Sequence, residues 1–256
     1  MPSFLKCGDA VSVLIVDDDQ VSREVLATVL TIGGYTVRTA SEGGEAVAML
    51  GAGDYEPRVV LVDLRMPGMG GSELISQLRE RMCAGRESGS AMTVVAMSAS
   101  EPHAGEVEGT DGFLLKPFGA KELERVLGED ARWGTTGEKP EAAAAETLNR
   151  RKLEQFRRMM PERAVREIYA TVVTDLHRRL HDLEAATGFG DCTAVRHIGH
   201  AIKGGCGMAG AEEAAGVGAM LERVDDELKN VLALTAMLRK AVRNLDDVLA
   251  AEFPLL

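Results

Sequence analysis

The chain has 256 residues, with 40 acidic against 29 basic side chains and a net charge of −11. That length is the span of two ordinary domains, and 45% hydrophobic residues suffice for true cores. The acidic balance excludes a partner such as nucleic acid, which needs a basic face, and no apolar run approaches the ~20 residues that cross a bilayer.

In the first half, short β-branched runs alternate with helical patterns. The runs are 11–16, a weaker 35–39, then 59–62, 93–97 and 112–115. Several are apolar almost throughout, as strands buried on both faces must be. Between the first two lies an amphipathic stretch, 21–30, with Val21, Val25, Val29 and Leu30 on one face, stopped by Gly33-Gly34. Strands alternating with helices predict right-handed crossovers and a doubly wound, five-stranded parallel α/β sheet of the flavodoxin-like kind. The first domain is placed at residues 9–128.

Residues 129–147 contain a Gly/Thr/Pro-rich stretch and an Ala/Glu tract, and read as a tether averaging roughly 22–26 Å end to end. From 148 to 256 no strand pattern survives. Val165, Ile168, Tyr169, Val172, Val173, Leu176, Leu180 and Leu183 mark one face of a long helix. Val231, Leu238, Val242, Leu245 and Leu249 mark another. Shorter helical segments near 194–208 and 212–226 complete an all-α antiparallel helix bundle. With only 4% aromatic residues, the cores are expected to be Leu, Val, Ala and Met. The dispersed Cys7, Cys83, Cys192 and Cys206 form no CxxC pair and read as reduced thiols. The start lacks the basic-then-apolar order of a signal peptide. A cytoplasmic location without membrane insertion is expected.

Ligands of a doubly wound sheet bind beyond the carboxyl ends of its strands, and the polar outliers of the first half fall there. Asp17-Asp18-Asp19 follows the first strand, Asp63 ends the third, Ser98 the fourth and Lys116 the fifth. Carboxylates converging in one crevice repel, and a cation relieves them. An all-oxygen set suits Mg²⁺. A hydroxyl and an ammonium beside it make a site for a phosphoryl group.

Val16-Asp17-Asp18, Val62-Asp63 with Met66-Pro67-Gly68, Met97-Ser98-Ala99 and Leu115-Lys116-Pro117-Phe118 resemble the response-regulator receiver domain over about residues 11–128. The resemblance implies that Asp63 is the phosphoacceptor. It implies Mg²⁺ held by Asp18, Asp63 and the Arg65 backbone carbonyl, with Asp17 acting partly through water. It also implies Ser98 and Lys116 on the phosphoryl group, a cis Lys116–Pro117 bond, and Ser98 with Phe113 as the switch pair. One departure stands out. Only fourteen residues separate Ser98 from Phe113, among them Pro102, Gly105 and Gly109. The helix expected between the fourth and fifth strands is therefore short or absent.

In the second half, Val195 to Ala211 is glycine-rich for a helix. Gly204, Gly205 and Gly207 each cost ~0.8–1 kcal/mol relative to Ala, so a bare backbone there serves a close approach. His200, Lys203, Gly204 and Gly207 share one helix face. They predict an exposed imidazole nucleophile, a cation for an arriving phosphoryl group, and a cleared docking surface at Gly204 and Gly207. His200-Ala-Ile-Lys203-Gly204 within a bundle resembles the histidine phosphotransfer (HPt) domain. That implies His200 as the phosphohistidine and Lys203 as its electrostatic partner. His197, without a third ligand in register, reads as a surface histidine. The basic run at 150–152 and 157–158 reads as a solvated helix face.

Together these features predict a phosphorelay signal-transduction protein. It would exchange phosphoryl groups with a sensor histidine kinase, a separate response-regulator receiver, or both, and hydrolyse nothing beyond its own Asp63 phosphate. The attached receiver would pass the group to His200 or gate its availability. The competing expectation is a non-catalytic binding regulator that sequesters a kinase or partner, with Asp63 phosphorylation as its switch.

Overall fold

The computed structural model describes residues 11–53, 55–84, 92–103, 105–118, 120–127, 146–225 and 228–254. Cys7 and nearly all of the tether expected at 129–147 lie outside them. The described chain divides into two compact units.

The first half of the chain carries β1 (Ser12–Val16), α1 (Gln20–Ile32), β2 (Thr36–Ala40), α2 (Gly43–Gly51), β3 (Val59–Asp63), α3 (Gly71–Ala84), β4 (Thr93–Ser98), β5 (Gly112–Leu115) and α4 (Ala120–Leu127). All strand pairs are parallel, in the order β2-β1-β3-β4-β5. The order reverses between β1 and β3, so their carboxyl ends open a crevice. Leu14, Val16, Val60, Val62, Val94 and Ala96 pack with Ala46 of α2 and Leu74, Ile75 and Leu78 of α3. The alternate residues Val13, Ile15, Leu61, Val95 and Met97 are equally buried and project to the opposite face. Only β2, at the sheet edge, is largely exposed, which is why its sequence signal is weak. On α1 the buried face is Val21, Val25, Leu26 and Leu30. Val29, expected on that face, is only half-buried.

Among the described residues from 99 to 111 there is no helix, only turns centred on 105–109. Gly105 and Gly109 adopt positive φ, at 94° and 80°, which helical geometry does not allow. The segment is strapped to α3 instead. Arg79 donates to the Gly109 carbonyl and pairs with Asp111 at 2.7 Å, Ser72 Oγ donates to the Glu106 carbonyl at 3.3 Å, and Asp111 accepts from the Val94 N–H at 2.7 Å.

The second unit contains α5 (Arg150–Met159), α6 (Glu162–Phe189), α7 (Cys192–Ala209), α8 (Glu212–Leu221) and α9 (Val231–Glu252). Helices α6, α7, α8 and α9 pack on their neighbours as an antiparallel bundle, and α5 lies on α6. Gly190 and Gly210 end α6 and α7 in the left-handed conformation, at φ 69° and 80°. Asp191 Oδ1 caps α7 by accepting from the Ala194 N–H. The core departs from the expected Leu, Val, Ala and Met in one layer. Phe156, Tyr169 and Phe253 are buried with ring centroids 6.4 and 6.1 Å apart, and the Tyr169 hydroxyl donates to the Ala209 carbonyl. Scarce aromatics thus concentrate where α5, α6 and the end of α9 meet. The basic run on α5 is more than a solvated face, since Arg150 and Arg157 both pair with Glu252 of α9, at 3.3 and 3.0 Å. No described helix is long and apolar enough to cross a membrane.

Candidate functional site

The carboxyl ends of β1, β3, β4 and β5 bring together the four positions that sequence spacing singled out. Asp17, Asp63, Ser98 and Lys116 are all buried, at 0, 3, 1 and 5% exposure. Asp17, Asp18 and Asp63 each offer a carboxylate oxygen, and these lie within 4.8 Å of one another. Such a hard-oxygen set fits Mg²⁺ in size and charge. The Lys116 ammonium already answers part of that charge, standing 2.6 Å from Asp17 Oδ2 and 2.5 Å from Asp63 Oδ2. Burial by itself would lower its pKa. The two carboxylates outweigh this and hold it above the ordinary lysine value, so it stays an ammonium. Asp17 is thus also a direct partner of Lys116.

The remaining expectations resolve locally. Asp19, third of the triplet, caps α1 by accepting from the Ser22 N–H at 2.6 Å. Arg65 folds back so that its N–H donates to Asp63 Oδ1 at 2.9 Å. Ser98 Oγ accepts from the Ser100 N–H. The Lys116–Pro117 bond is cis. Phe113 is half-buried against the α2–α3 core. The close fit of α3 beneath Asp63 depends on Gly71, where a Cβ would lie 2.2 Å from the Asp63 carbonyl oxygen and 2.7 Å from Leu64 Cα. Since both contacts are backbone, Gly71→Ala is expected to destabilise the unit by at least 1–3 kcal/mol, read as a lowered urea midpoint. An unchanged midpoint would show that α3 shifts freely.

On α7 the predicted face exists, with His200, Lys203, Gly204 and Gly207 within one continuous helix. The imidazole, however, is not the exposed group expected: His200 is 7% exposed. Its Nδ1 lies 2.7 Å from Glu222 Oε1, while Nε2 is buried and has no hydrogen-bond partner among the described residues. Lys203 Nζ lies 3.0 Å from Glu222 Oε2. Glu222, the C-cap of α8, is the site residue that sequence reasoning missed, because nothing in its spacing links it to a histidine 22 positions earlier. Gly204 and Gly207 are buried, as is Cys206. Burial pushes the Cys206 thiol up, away from reactivity. His197 is half-buried rather than a surface residue.

One unit presents an acidic crevice with a lysine on its carboxylates, and the other a bundle histidine held by a carboxylate. Residues 13–127 match the family model of the response regulator receiver domain, and residues 167–249 match that of the Hpt domain. The chain thus carries a receiver domain and an Hpt domain, modules of two-component phosphorelay signalling. The sensor histidine kinase AruS of Pseudomonas aeruginosa is 29% identical over 205 residues, covering 78% of this chain and 20% of the kinase. The response regulator MprA of Mycobacterium ulcerans is 37% identical over 118 residues, covering 44% of this chain and 47% of the relative. The chain thus spans a fifth to about half the length of these curated relatives. Among solved structures, Vibrio cholerae CheY4 aligns with a TM-score of 0.41 at 28% identity, covering 46% of this chain and 97% of that one. The co-crystal structure of Saccharomyces cerevisiae Ypd1 with the receiver domain of Ssk1 aligns with a TM-score of 0.40 at 26% identity, covering 47% and 88%.

Proposed function

We propose that Asp63 accepts a phosphoryl group with Mg²⁺ as cofactor, and that His200 carries one in exchange with a sensor histidine kinase or a separate receiver. The observation that carries this reading is the Lys116 ammonium set 2.5 Å from Asp63 Oδ2 and 2.6 Å from Asp17 Oδ2. A group arriving on Asp63 meets a cation already in place. Asp17, Asp18, Asp63 and the Arg65 carbonyl would hold the Mg²⁺, which supplies charge neutralisation at the transferring oxygens. Ser98 would hydrogen-bond the phosphoryl group, with Phe113 as its switch partner. Gly204 and Gly207, buried here, would put no side chain in the way of a receiver once that face of α7 is uncovered.

The domains in this reading are a receiver at 9–128, a linker at 129–147 and an HPt domain at 148–256. The strap at 99–111 replaces the helix through which a receiver could signal, so the attached HPt domain is the natural output. Phosphorylation turns the Asp63 carboxylate into a larger acyl phosphate carrying roughly −1.5 to −2 charge in all, and in this reading that change alters how available His200 is.

The test uses the full chain with Mg²⁺ and either a phosphorylated kinase or a small phosphodonor. Wild type should acquire both a base-labile and an acid-labile phosphate, Asp63→Ala only the acid-labile one when phosphorylated by a donor to histidine, and His200→Ala only the base-labile one. Undiminished flow to a downstream receiver in His200→Ala would sink the relay and leave a binding regulator.

A further inference from the structure

We propose that Arg65 and Glu106 form a latch between the phosphorylation site and the strap. While Asp63 is bare, Glu106 holds the Arg65 guanidinium and the strap stays on α3; a phosphoryl group on Asp63 draws that guanidinium away and frees the strap. The inference rests on the reading of Asp63 as the phosphoacceptor and adds how its state reaches the segment between β4 and β5.

Arg65 touches both ends of this connection. Its backbone N–H donates to Asp63 Oδ1 at 2.9 Å. Its guanidinium faces Glu106 Oε1 at 3.8 Å, with the two side chains 38 and 30% exposed. An ion pair that long and that open to solvent is weak. Arg65 Nε, in contrast, is buried and has no hydrogen-bond partner among the described residues. A buried donor without an acceptor is costly, so the guanidinium is poised to take a new one.

A phosphoryl group supplies that acceptor. As one Asp63 oxygen bonds to phosphorus, the donor's own bond to phosphorus breaks and its electron pair leaves with the donor. Whichever oxygen reacts, Oδ1 ceases to be half of a carboxylate, and the hydrogen bond from the Arg65 N–H loses its charge assistance. Two residues before Arg65 there is now a group of roughly −1.5 to −2 charge, against the single charge of Glu106. A guanidinium fork matches phosphate oxygens in shape, so the phosphoryl group wins the competition.

The strap is built to be released at one end. Glu106 gathers that end: its Oε2 accepts from the His103 N–H at 2.7 Å, and its carbonyl accepts from Ser72 Oγ at 3.3 Å. Arg79 fixes the other end through the Gly109 carbonyl and Asp111, contacts that do not involve Asp63. Gly105 and Gly109, both at positive φ, bracket the part between, and Val107 in its middle is only partly buried against the α2–α3 core. Once Glu106 loses Arg65, the segment 105–109 has a glycine hinge at each end and little apolar burial to keep it down.

Amide hydrogen exchange on the full chain tests the latch. The N–H groups of Glu106, Glu108 and Thr110 are bonded within the turns of the strap and report whether it is closed. With Mg²⁺ and a small phosphodonor, wild type should exchange them at least about fivefold faster once Asp63 carries a base-labile phosphate. Glu106→Gln keeps an acceptor for the His103 N–H but gives up the charge. Its strap should exchange at the faster rate before phosphorylation and gain little afterwards, while Asp63 still accepts phosphate. Arg65→Ala, which keeps both backbone groups, should behave alike. Strap exchange unchanged by the phosphate in wild type, or a Glu106→Gln strap that responds as wild type does, would overturn the proposal. Failure of the underlying reading appears separately, as a chain that acquires no base-labile phosphate at Asp63, and the latch falls with it.

Discussion

Lys116→Met is expected to destabilise the receiver by about 3 kcal/mol or more without divalent cation, and to make its stability strongly Mg²⁺-dependent. The ammonium is buried and bridges two buried carboxylates, Asp17 and Asp63. Methionine keeps the chain length and most of the packing but leaves those carboxylates facing each other. Removing one member of a buried ionic cluster costs roughly 3–5 kcal/mol, because the remaining charges stay desolvated and unanswered. A divalent cation at Asp17, Asp18 and Asp63 restores the missing charge and no longer competes with the ammonium for Asp17 and Asp63. A ligand at a hundred times its dissociation constant adds about 2.7 kcal/mol, so saturating Mg²⁺ should recover most of the loss. Urea unfolding with EDTA and with Mg²⁺ measures both quantities. Equal stability of variant and wild type in EDTA would mean that the carboxylates do not depend on Lys116.

The second large effect is expected at the α7–α8 seam. Gly199→Ala replaces a helical glycine by the best helix former, which by propensity alone gains about 0.8–1 kcal/mol. Here the sign reverses, because the new Cβ meets the Glu222 N at 2.5 Å and Leu221 Cβ at 2.7 Å. The first of these is backbone and cannot rotate away, so the two helices must part. The expected outcome is a net loss of about 1–3 kcal/mol, with the Glu222 carboxylate drawn away from His200. Gly216→Ala in α8 is the control. A Cβ there meets nothing within 4 Å, and the substitution should stabilise by up to about 1 kcal/mol. Equal effects at the two glycines in urea unfolding would remove the steric argument.

Much of this site was legible because the sheet turns linear order into proximity. Asp17, Asp63, Ser98 and Lys116 are far apart in the chain, yet each follows an apolar run, and parallel strands end on the same edge. The missing helix between β4 and β5 was likewise readable from Pro102, Gly105 and Gly109, whose backbone preferences act locally. Along α7, the positions of His200, Lys203 and Gly204 follow from the helical repeat alone.

What escaped came from contacts that no period encodes. The aromatic layer of Phe156, Tyr169 and Phe253 joins three helices, and overall composition says nothing of where ten aromatic residues gather. Glu222 sits among other helical acids in the chain and gains meaning only when Gly199 and Gly218 let α8 close on α7.

The amino-acid sequence by itself therefore determined the division into two units, the alternation of strands and helices in the first, and which side chains gather at the strand ends, since periodicity and strand ends are local properties. Only the tertiary structure decided how those residues are held. It put Lys116 on Asp17 as well as on Asp63, and it turned the histidine from an exposed group into one held by Glu222. The physical reason is that hydrogen bonds and ion pairs depend on ångström distances between segments distant in sequence, and those distances exist only once the cores have packed.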